Sequence, residues 1–134
     1  MKLTVYSDGG SRGNPGHAAF AIVVCSGNDV IFEKSEYIGK ETNNIAEYRG
    51  LIAGIAKAID LKADEVEFIM DSELVIKQMR GEYKVKSQNL IDIHHDAKSL
   101  VSGIGKVKFT HVKRENKMVS RADALLNEEM DRHQ

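Results

Sequence analysis

The sequence predicts an α/β fold in which a mixed five-stranded sheet is flanked by helices. Three segments with strand character come first, before about residue 40. Downstream, segments whose apolar residues recur at helical spacing alternate with two short apolar strands. Neighbouring early strands followed by strand–helix alternation are typical of a sheet with both antiparallel and parallel pairs. The expected order of elements is β-β-β-α-β-α-α-β-α.

Alternation and turn residues predict the first three strands. Residues 2–8 alternate between two faces, and the apolar runs 18–25 and 30–38 flank the tight-turn sequence Ser26-Gly27-Asn28-Asp29. The two runs are therefore expected to form a hairpin. A loop containing glycine and proline, over residues 9–16, is expected to separate the first strand from this hairpin.

Apolar periodicity predicts the remaining elements. A long helix follows from one stripe formed by Ile45, Tyr48, Leu51, Ile52, Ile55 and Ile59. Residues 66–70 then read as a strand, and a short helix over residues 74–79 stops near Gly81. A helix over residues 90–100 and a strand over residues 107–112 come next. The last helix is marked by Ala122, Leu125, Leu126 and Met130.

Length and composition predict one globular domain over residues 1–134. Hydrophobic residues make up 42% and charged residues 29%, and the net charge of −1 excludes a globally basic nucleic-acid-binding protein. The single cysteine, Cys25, allows no intramolecular disulfide. Because no stretch approaches the about 20 apolar residues of a membrane span, and the N-terminus lacks a signal-peptide pattern, we expect a cytoplasmic protein without membrane contact.

Charged residues are unevenly distributed along the chain. Residues 60–73 are mainly acidic, whereas residues 77–86 and 106–121 are mainly basic. Such runs are usually solvated faces. The alternative is an acidic centre beside basic rims, which would suit a metal ion and a polyanion together.

Four carboxylates are predicted at the ends of elements. Asp8 ends the first strand, Asp71 follows the strand over residues 66–70, and Glu47 and Asp123 are expected in the first turns of their helices. Each has an ordinary structural explanation: a turn residue for Asp8, a helix N-cap for Asp71, and capping boxes that pair Glu47 with Asn44 and Asp123 with Ser120. Taken singly, each carboxylate is better explained by its structural role.

Together, the four carboxylates lie in motifs that resemble those of the type 1 ribonuclease H family. The motifs are Asp8-Gly9-Gly10-Ser11-Arg12-Gly13-Asn14-Pro15-Gly16, Thr42-Asn43-Asn44-Ile45-Ala46-Glu47, Asp71-Ser72-Glu73-Leu74-Val75 and Arg121-Ala122-Asp123-Ala124-Leu125-Leu126-Asn127. The resemblance extends over residues 2–131. It implies a ribonuclease H-like fold and hydrolysis of the RNA strand of RNA–DNA hybrids, which leaves 5′-phosphate and 3′-hydroxyl ends.

By this resemblance, Asp8, Glu47, Asp71 and Asp123 are the catalytic residues and the ligands of two Mg²⁺ or Mn²⁺ ions. These hard cations prefer oxygen ligands, and carboxylates also supply compensating charge. Two ions about 3.5–4 Å apart can activate a water and stabilise the leaving oxygen of an in-line displacement. Four clustered carboxylates would otherwise repel one another.

The resemblance also implies substrate contacts. Gly9, Gly10 and Asn14 correspond to positions where the main chain approaches the hybrid and senses 2′-hydroxyl groups, which distinguish RNA from DNA. Thr42 and Asn43 correspond to a pocket for a DNA phosphate, which amide groups at a helix N-terminus suit. An ordinary turn and a helix cap are the structural alternatives, and capping is compatible with phosphate binding.

The sequence departs from the family pattern at three places. Residues 113–121 lack the histidine that many members carry before the last carboxylate, so Arg114 or Glu115 is expected to substitute, and Arg114 is predicted to contact substrate. The loop over residues 114–122 is expected to be about two residues longer than in short-loop members. The stretch 81–89 is short and lacks tryptophan, so this is a short form without the basic protrusion of some members.

The sequence also offers other candidate sites and functions. The glycine-rich segment matches neither a Walker A motif nor a dinucleotide fingerprint. His94 and His95, with Asp92 and Asp96, are better explained as an exposed helix face than as a metal site. A non-catalytic hybrid- or double-strand-binding module and a nuclease for another substrate, such as a DNA junction, stay as alternatives. The sequence identifies no protein partner.

Overall fold

The structure is a computed structural model that describes residues 1–133. The strands are β1 (Lys2–Gly13), β2 (Gly16–Ser26), β3 (Asp29–Glu41), β4 (Glu65–Met70) and β5 (Lys106–His111). The helices are α1 (Asn43–Asp60), α2 (Glu73–Met79), α3 (Gln88–Val101) and α4 (Lys117–Arg132). This order of elements confirms the predicted α/β fold.

The five strands form one mixed sheet in the order β3-β2-β1-β4-β5. The pairs β1–β2 and β2–β3 are antiparallel, whereas β1–β4 and β4–β5 are parallel. Tyr6 on β1 pairs with Ile69 on β4. Asp8 and Asp71 therefore each lie two residues beyond the same paired position, at the same edge of the sheet.

Helices cover both faces of the sheet and bury two apolar clusters. On one face, α1, α2 and α3 cover a large core that includes Leu3, Val5, Tyr48, Leu51 and Phe68. On the other face, α4 packs on alanine-rich β2 through Ala122, Leu126 and Met130. The hydrophobic effect thus fixes α1 and α4 on opposite sides of β1. Within residues 1–133, none of the helices has the length and apolar character needed to cross a membrane.

The predicted loop over residues 9–16 is wrong, because β1 continues to Gly13 and pairs with β2 from Thr4 to Gly13. Only Asn14 and Pro15 separate the two strands. Gly9 lies within the strand and serves close packing rather than a turn. A Cβ there would lie 2.5 Å from the amide nitrogen of Glu47, and closer still to the carbonyl of Ala46. Because Gly9 has no side chain, α1 can pack directly against β1.

The buried face of α1 also differs from the predicted stripe. It contains Ala46, Glu47, Tyr48, Gly50, Leu51, Gly54, Ile55 and Ala58. Ile45 and Ile52 are only partly buried, and Ile59 is 36% exposed. Small residues face the sheet because the helix lies close to it: a Cβ at Gly54 would lie 2.7 Å from Cγ1 of Val5. The larger isoleucines consequently flank the contact.

Two helix starts differ from the prediction. The hydroxyl of Thr42 caps α1, and the side chain of Asn116 caps α4 by accepting from the amides of Met118 and Val119. Glu47 is therefore the fifth residue of α1, and Asp123 is the seventh residue of α4, so neither lies in a first turn. The capping boxes with Asn44 and Ser120 are wrong. The expected loop over residues 114–122 is wrong too, because only residues 112–116 join β5 to α4.

Candidate active site

The four carboxylates predicted as catalytic line one cavity of about 400 Å³ at the edge of the sheet. Each comes from a different part of the fold: Asp8 from β1, Glu47 from α1, Asp71 from the residue after β4, and Asp123 from α4. The cavity is also lined by Gly9, Gly10, Ser11, Arg12, Asn43, Arg114, Leu126, Asn127 and Met130. The structure thus brings together carboxylates that are separated by up to 115 positions in the chain.

The strand register and the helix layers explain this convergence. Parallel pairing of β1 and β4 brings Asp8 beside Asp71, because neighbouring strands lie about 4.8 Å apart. Side chains alternate along β1, so Val5 joins the core beneath α1 whereas Tyr6 packs with the cluster beneath α4. The part of β1 that carries Asp8 is therefore reached by Glu47 from one side and by Asp123 from the other.

None of the four carboxylates has the turn or helix-capping role that would explain its presence without a catalytic function. Ser72, not Asp71, caps α2, because its Oγ accepts from the amide of Val75 at 3.3 Å. Asp8 lies inside β1 rather than at a turn. Glu47 and Asp123 lie beyond the first turns of their helices. The capping and turn alternatives therefore fail for all four.

Burial and mutual repulsion raise the pKa of two of these carboxyl groups. Asp8 is 4% exposed, and burial, reinforced by the charges of Asp71 and Asp123, raises its pKa to about 8. The amide of Gly9, which donates to Oδ1 of Asp8 at 3.0 Å, lowers it only in part. Burial likewise raises the pKa of Glu47 to about 7. Without a bound cation, these two carboxyl groups therefore keep their protons to a higher pH than exposed carboxyl groups do.

The donor set of the cavity fits a hard divalent cation. It supplies carboxylate oxygens from four side chains, which Mg²⁺ and Mn²⁺ prefer. Within residues 1–133, no group of three His, Cys, Asp or Glu side chains is already arranged around a common metal position. His94 and His95 likewise belong to no such group within residues 1–133. Nε2 of His94 lies 3.2 Å from the carbonyl oxygen of Gln78.

The predicted substrate-contacting residues lie in or beside the cavity. Gly9, Gly10, Asn43 and Arg114 line it, whereas Asn14 lies on the exposed turn between β1 and β2. Oδ1 of Asn14 accepts from the amide of Asn43 at 3.1 Å. Oδ1 of Asn43 accepts in turn from the amide of Ser11 at 3.3 Å. The turn and the start of α1 are thereby held together along one wall.

Thr42 has a structural role, as its alternative interpretation predicted. Its Oγ1 accepts from the amide of Ile45 at 3.2 Å and caps α1. The residue does not line the cavity itself but adjoins Asn43, which does. The capping alternative is confirmed, and the amides of Asn43 and Ile45 at the start of α1 both donate to side chains of the protein.

Sequence reasoning missed the residues that join β1 to α4. Nη1 of Arg12 pairs with Asp131 at 2.7 Å, and Nη2 donates to the side-chain oxygen of Asn127 at 3.2 Å. These contacts hold the end of the strand that carries Asp8 against the helix that carries Asp123. The signal in the sequence was weak: Asn127 follows Asp123 by four residues, which is one helical turn.

Several cations of the predicted basic rims are engaged within the protein. Lys77 pairs with Glu73 at 3.1 Å, and Arg121 pairs with Glu33 through two nitrogens, at 2.7 and 3.0 Å. Nε of Arg80 donates to a backbone carbonyl at 2.8 Å. These side chains are less available to a polyanion than the sequence suggested.

Comparisons with known proteins agree on one family. The family model described as "Reverse transcriptase-like" matches residues 6–128. The chain is 43% identical over 133 residues to "Bifunctional protein Rv2228c" of Mycobacterium tuberculosis. The match covers 98% of this chain but only 36% of that relative. The chain therefore spans about a third of the length of such curated relatives.

Solved structures share the fold over nearly the whole chain. The crystal structure of RNase H1 from the halophilic archaeon Halobacterium salinarum has a TM-score of 0.93 at 39% identity, covering 98% of this chain and 99% of that one. The structure of LC11-RNase H1 in complex with an RNA/DNA hybrid has a TM-score of 0.90 at 37% identity, covering 98% of both chains.

Proposed function

The chain belongs to the reverse transcriptase-like family and has a ribonuclease H-like fold, and on this premise we propose that it is a metal-dependent ribonuclease H. As one such domain over residues 1–134, acting in the cytoplasm, it would hydrolyse the RNA strand of RNA–DNA hybrids. The observation that carries the proposal is the meeting of Asp8, Glu47, Asp71 and Asp123 in one cavity. Hybrid binding by LC11-RNase H1, a relative of the same fold, supports the choice of substrate.

The same four carboxylates would hold two Mg²⁺ or Mn²⁺ ions. When bound, such ions activate water and stabilise the charge on the leaving oxygen of a phosphodiester. The protein's part is to set the positions and protonation of the ligands. Asp8 is held by burial and by the amide of Gly9, and a hydrogen bond with Ser72 lowers the pKa of Glu47 against the effect of burial. Both carboxyl groups must lose their protons before they bind a cation.

Recognition of the hybrid would rest on the wall formed by β1 and the start of α1. Gly9 and Gly10 expose main chain to the cavity, where it can approach a 2′-hydroxyl closely. Asn14 and Asn43 are linked by a hydrogen bond on the same wall. Beside them, the positive end of the α1 dipole, next to Thr42, suits a phosphate of the DNA strand, while the amides of Asn43 and Ile45 already donate to Asn14 and Thr42.

In the reaction, a water oxygen forms a bond to phosphorus while the bond from phosphorus to the 3′-oxygen breaks. The water's proton leaves to solvent, and the 3′-oxygen gains one. The products are a 5′-phosphate and a 3′-hydroxyl end. The short connection over residues 112–116 carries Arg114 to the same cavity, where its charge can contact a substrate phosphate.

The test is cleavage of labelled RNA–DNA hybrid, compared with double-stranded RNA, duplex DNA and a DNA junction, in Mg²⁺, Mn²⁺ or EDTA. We expect cleavage of the hybrid alone, and only with a divalent metal. Asp71→Asn keeps the size of the side chain but removes its charge, so it should abolish cleavage, a loss of at least about a thousandfold. Its unfolding midpoint should not fall, because the repulsion within the cavity decreases.

The matched control is Asp92→Asn, which removes a carboxylate from an exposed position on α3. It should cleave like the unsubstituted protein. Full activity of Asp71→Asn in Mg²⁺ would refute the assignment of the site. Tight binding of the hybrid without any cleavage would favour the non-catalytic binding module, and cleavage of the junction would favour the other nuclease function.

A further inference from the structure

We propose that Arg114 is the resident counter-cation of the carboxylate cavity, and that it and a divalent metal ion occupy Asp71 alternately. In the metal-free protein, Arg114 pairs with Asp71. Loading of the metal releases the guanidinium, which is then free to face an anionic substrate. This inference rests on the metal site of the proposed function and adds a regulatory contact to it.

The first support is the position of the guanidinium. Nε of Arg114 lies 3.5 Å from Oδ2 of Asp71. Among the ion pairs formed by residues 1–133, this is the one that reaches any of the four cavity carboxylates. The charges of Asp71, Asp123 and Asp8 all raise the pKa of Arg114. The other arginine of the cavity, Arg12, is already paired with Asp131 outside it.

The second support is the unequal exposure of the two partners. The side chain of Asp71 is 11% exposed, whereas that of Arg114 is 78% exposed. Arg114 can therefore leave without losing buried contacts, and an exposed ion pair contributes at most about 1 kcal/mol. A divalent ion carries twice the charge and is attracted by all four carboxylates, so it should win this competition.

The third support is that the backbone under Arg114 is held while its side chain is free to swing. The hydroxyl of Ser120 donates to the carbonyl oxygen of Arg114 at 3.0 Å, and Asn116 caps α4 two residues later. Exchange therefore needs only rotation of the arginine side chain.

The experiment is a titration of the full chain with Mn²⁺ alone, without nucleic acid, followed by calorimetry and by the signal of free Mn²⁺ in electron paramagnetic resonance. Arg114→Ala removes both the competitor and its repulsion, so Mn²⁺ should bind about three- to tenfold more tightly. Arg121→Ala is the matched control. It removes the same charge from an arginine whose Nε also pairs with a carboxylate, Glu33, but outside the cavity. The affinity of Arg121→Ala for Mn²⁺ should differ from that of the unsubstituted protein by less than about twofold.

A second measurement uses the unsubstituted protein and so does not depend on the folding of a variant. Mg²⁺ should shift the Nε–H resonance of Arg114 in nuclear magnetic resonance spectra towards the position of a free arginine, with the same midpoint as Mg²⁺ binding. The resonance in Asp71→Asn should already lie there without metal.

Unchanged or weaker Mn²⁺ binding by Arg114→Ala would overturn the inference, as would an Arg114 resonance that does not respond to Mg²⁺. Absence of Mn²⁺ binding by both proteins would overturn it as well. Hybrid cleavage is measured separately. Competition at Asp71 without cleavage would therefore refute the proposed function alone, and cleavage without competition would refute this inference alone.

Discussion

Replacing Gly9 by alanine perturbs the contact on which the geometry of the cavity depends. Gly9 lies on β1 next to Asp8, and its backbone is in direct contact with the backbone of α1 at Ala46 and Glu47. An added Cβ would lie 2.5 Å from the amide nitrogen of Glu47, where ordinary van der Waals contact requires 3.4–4 Å. The obstructing atoms are backbone, so no side chain can rotate away.

The size of the effect follows from this overlap. Helix α1 must retreat from β1 by about 1 Å, and overpacking of this kind costs about 1–3 kcal/mol, or more when the backbone itself must shift. We expect about 3 kcal/mol, which for a domain of this size lowers the melting temperature by about 10 °C. The retreat also carries Glu47 away from Asp8, so cleavage of the hybrid should fall by at least about a hundredfold.

Gly10→Ala is the control, because it adds the same methyl group one residue further along β1. There the nearest atoms, Oδ1 of Asn43 and a methyl of Leu126, would both lie 3.7 Å away. Urea unfolding of both variants should give a loss of stability for Gly9→Ala and a change of less than about 0.5 kcal/mol for Gly10→Ala. Equal stability of the two variants would refute the close approach of α1 to β1.

Two further predictions concern charge and the start of α1. Because folding raises the pKa of Asp8 to about 8 and of Glu47 to about 7, from 3.8 and 4.5, the folded state binds more protons than the unfolded state. The free energy of unfolding of the metal-free protein should therefore fall as pH rises from about 4 to about 8, and a stability that rises over this range would contradict it. Thr42→Ala with Asn43→Ala should raise KM for the hybrid more than it lowers kcat, if the pair binds a DNA phosphate, and should lower stability by about 1 kcal/mol through loss of the cap. A loss of stability with unchanged kinetics would support capping alone.

The order and type of the elements could be predicted because each carries a local signal. The alternation in residues 2–8 and the turn at Gly27 both depend on residues that are close in sequence. The structure confirms both the strand and the turn. The helical periodicity after residue 45 is equally local. The four carboxylates could be predicted to meet because their motifs resemble one family in order and spacing, and the cavity brings them together.

What the sequence could not predict depends on contacts between distant residues. The sequence around Gly9 predicts a turn, but a glycine is required there by the close approach of α1, which no local pattern reveals. Helix α4 begins earlier than predicted because Asn116 caps it, and nothing in the sequence distinguishes Asn116 from the polar residues around it. The pairing of Arg12 with Asp131 joins residues 119 positions apart, so only the folded topology makes it visible.

The buried carboxylates of the cavity lower the stability of the fold, and this cost of burying them indicates a cationic ligand. Asp8 is 4% exposed and Glu47 is 9% exposed, yet the one ion pair that residues 1–133 make with the four carboxylates goes to Asp71. Buried charge without a partner opposes folding. A cation that binds only the folded state would offset this cost, and at a hundred times its Kd it would stabilise the protein by about 2.7 kcal/mol. A metal ion bound at this site, as proposed above, would therefore relieve the repulsion that weakens the metal-free protein.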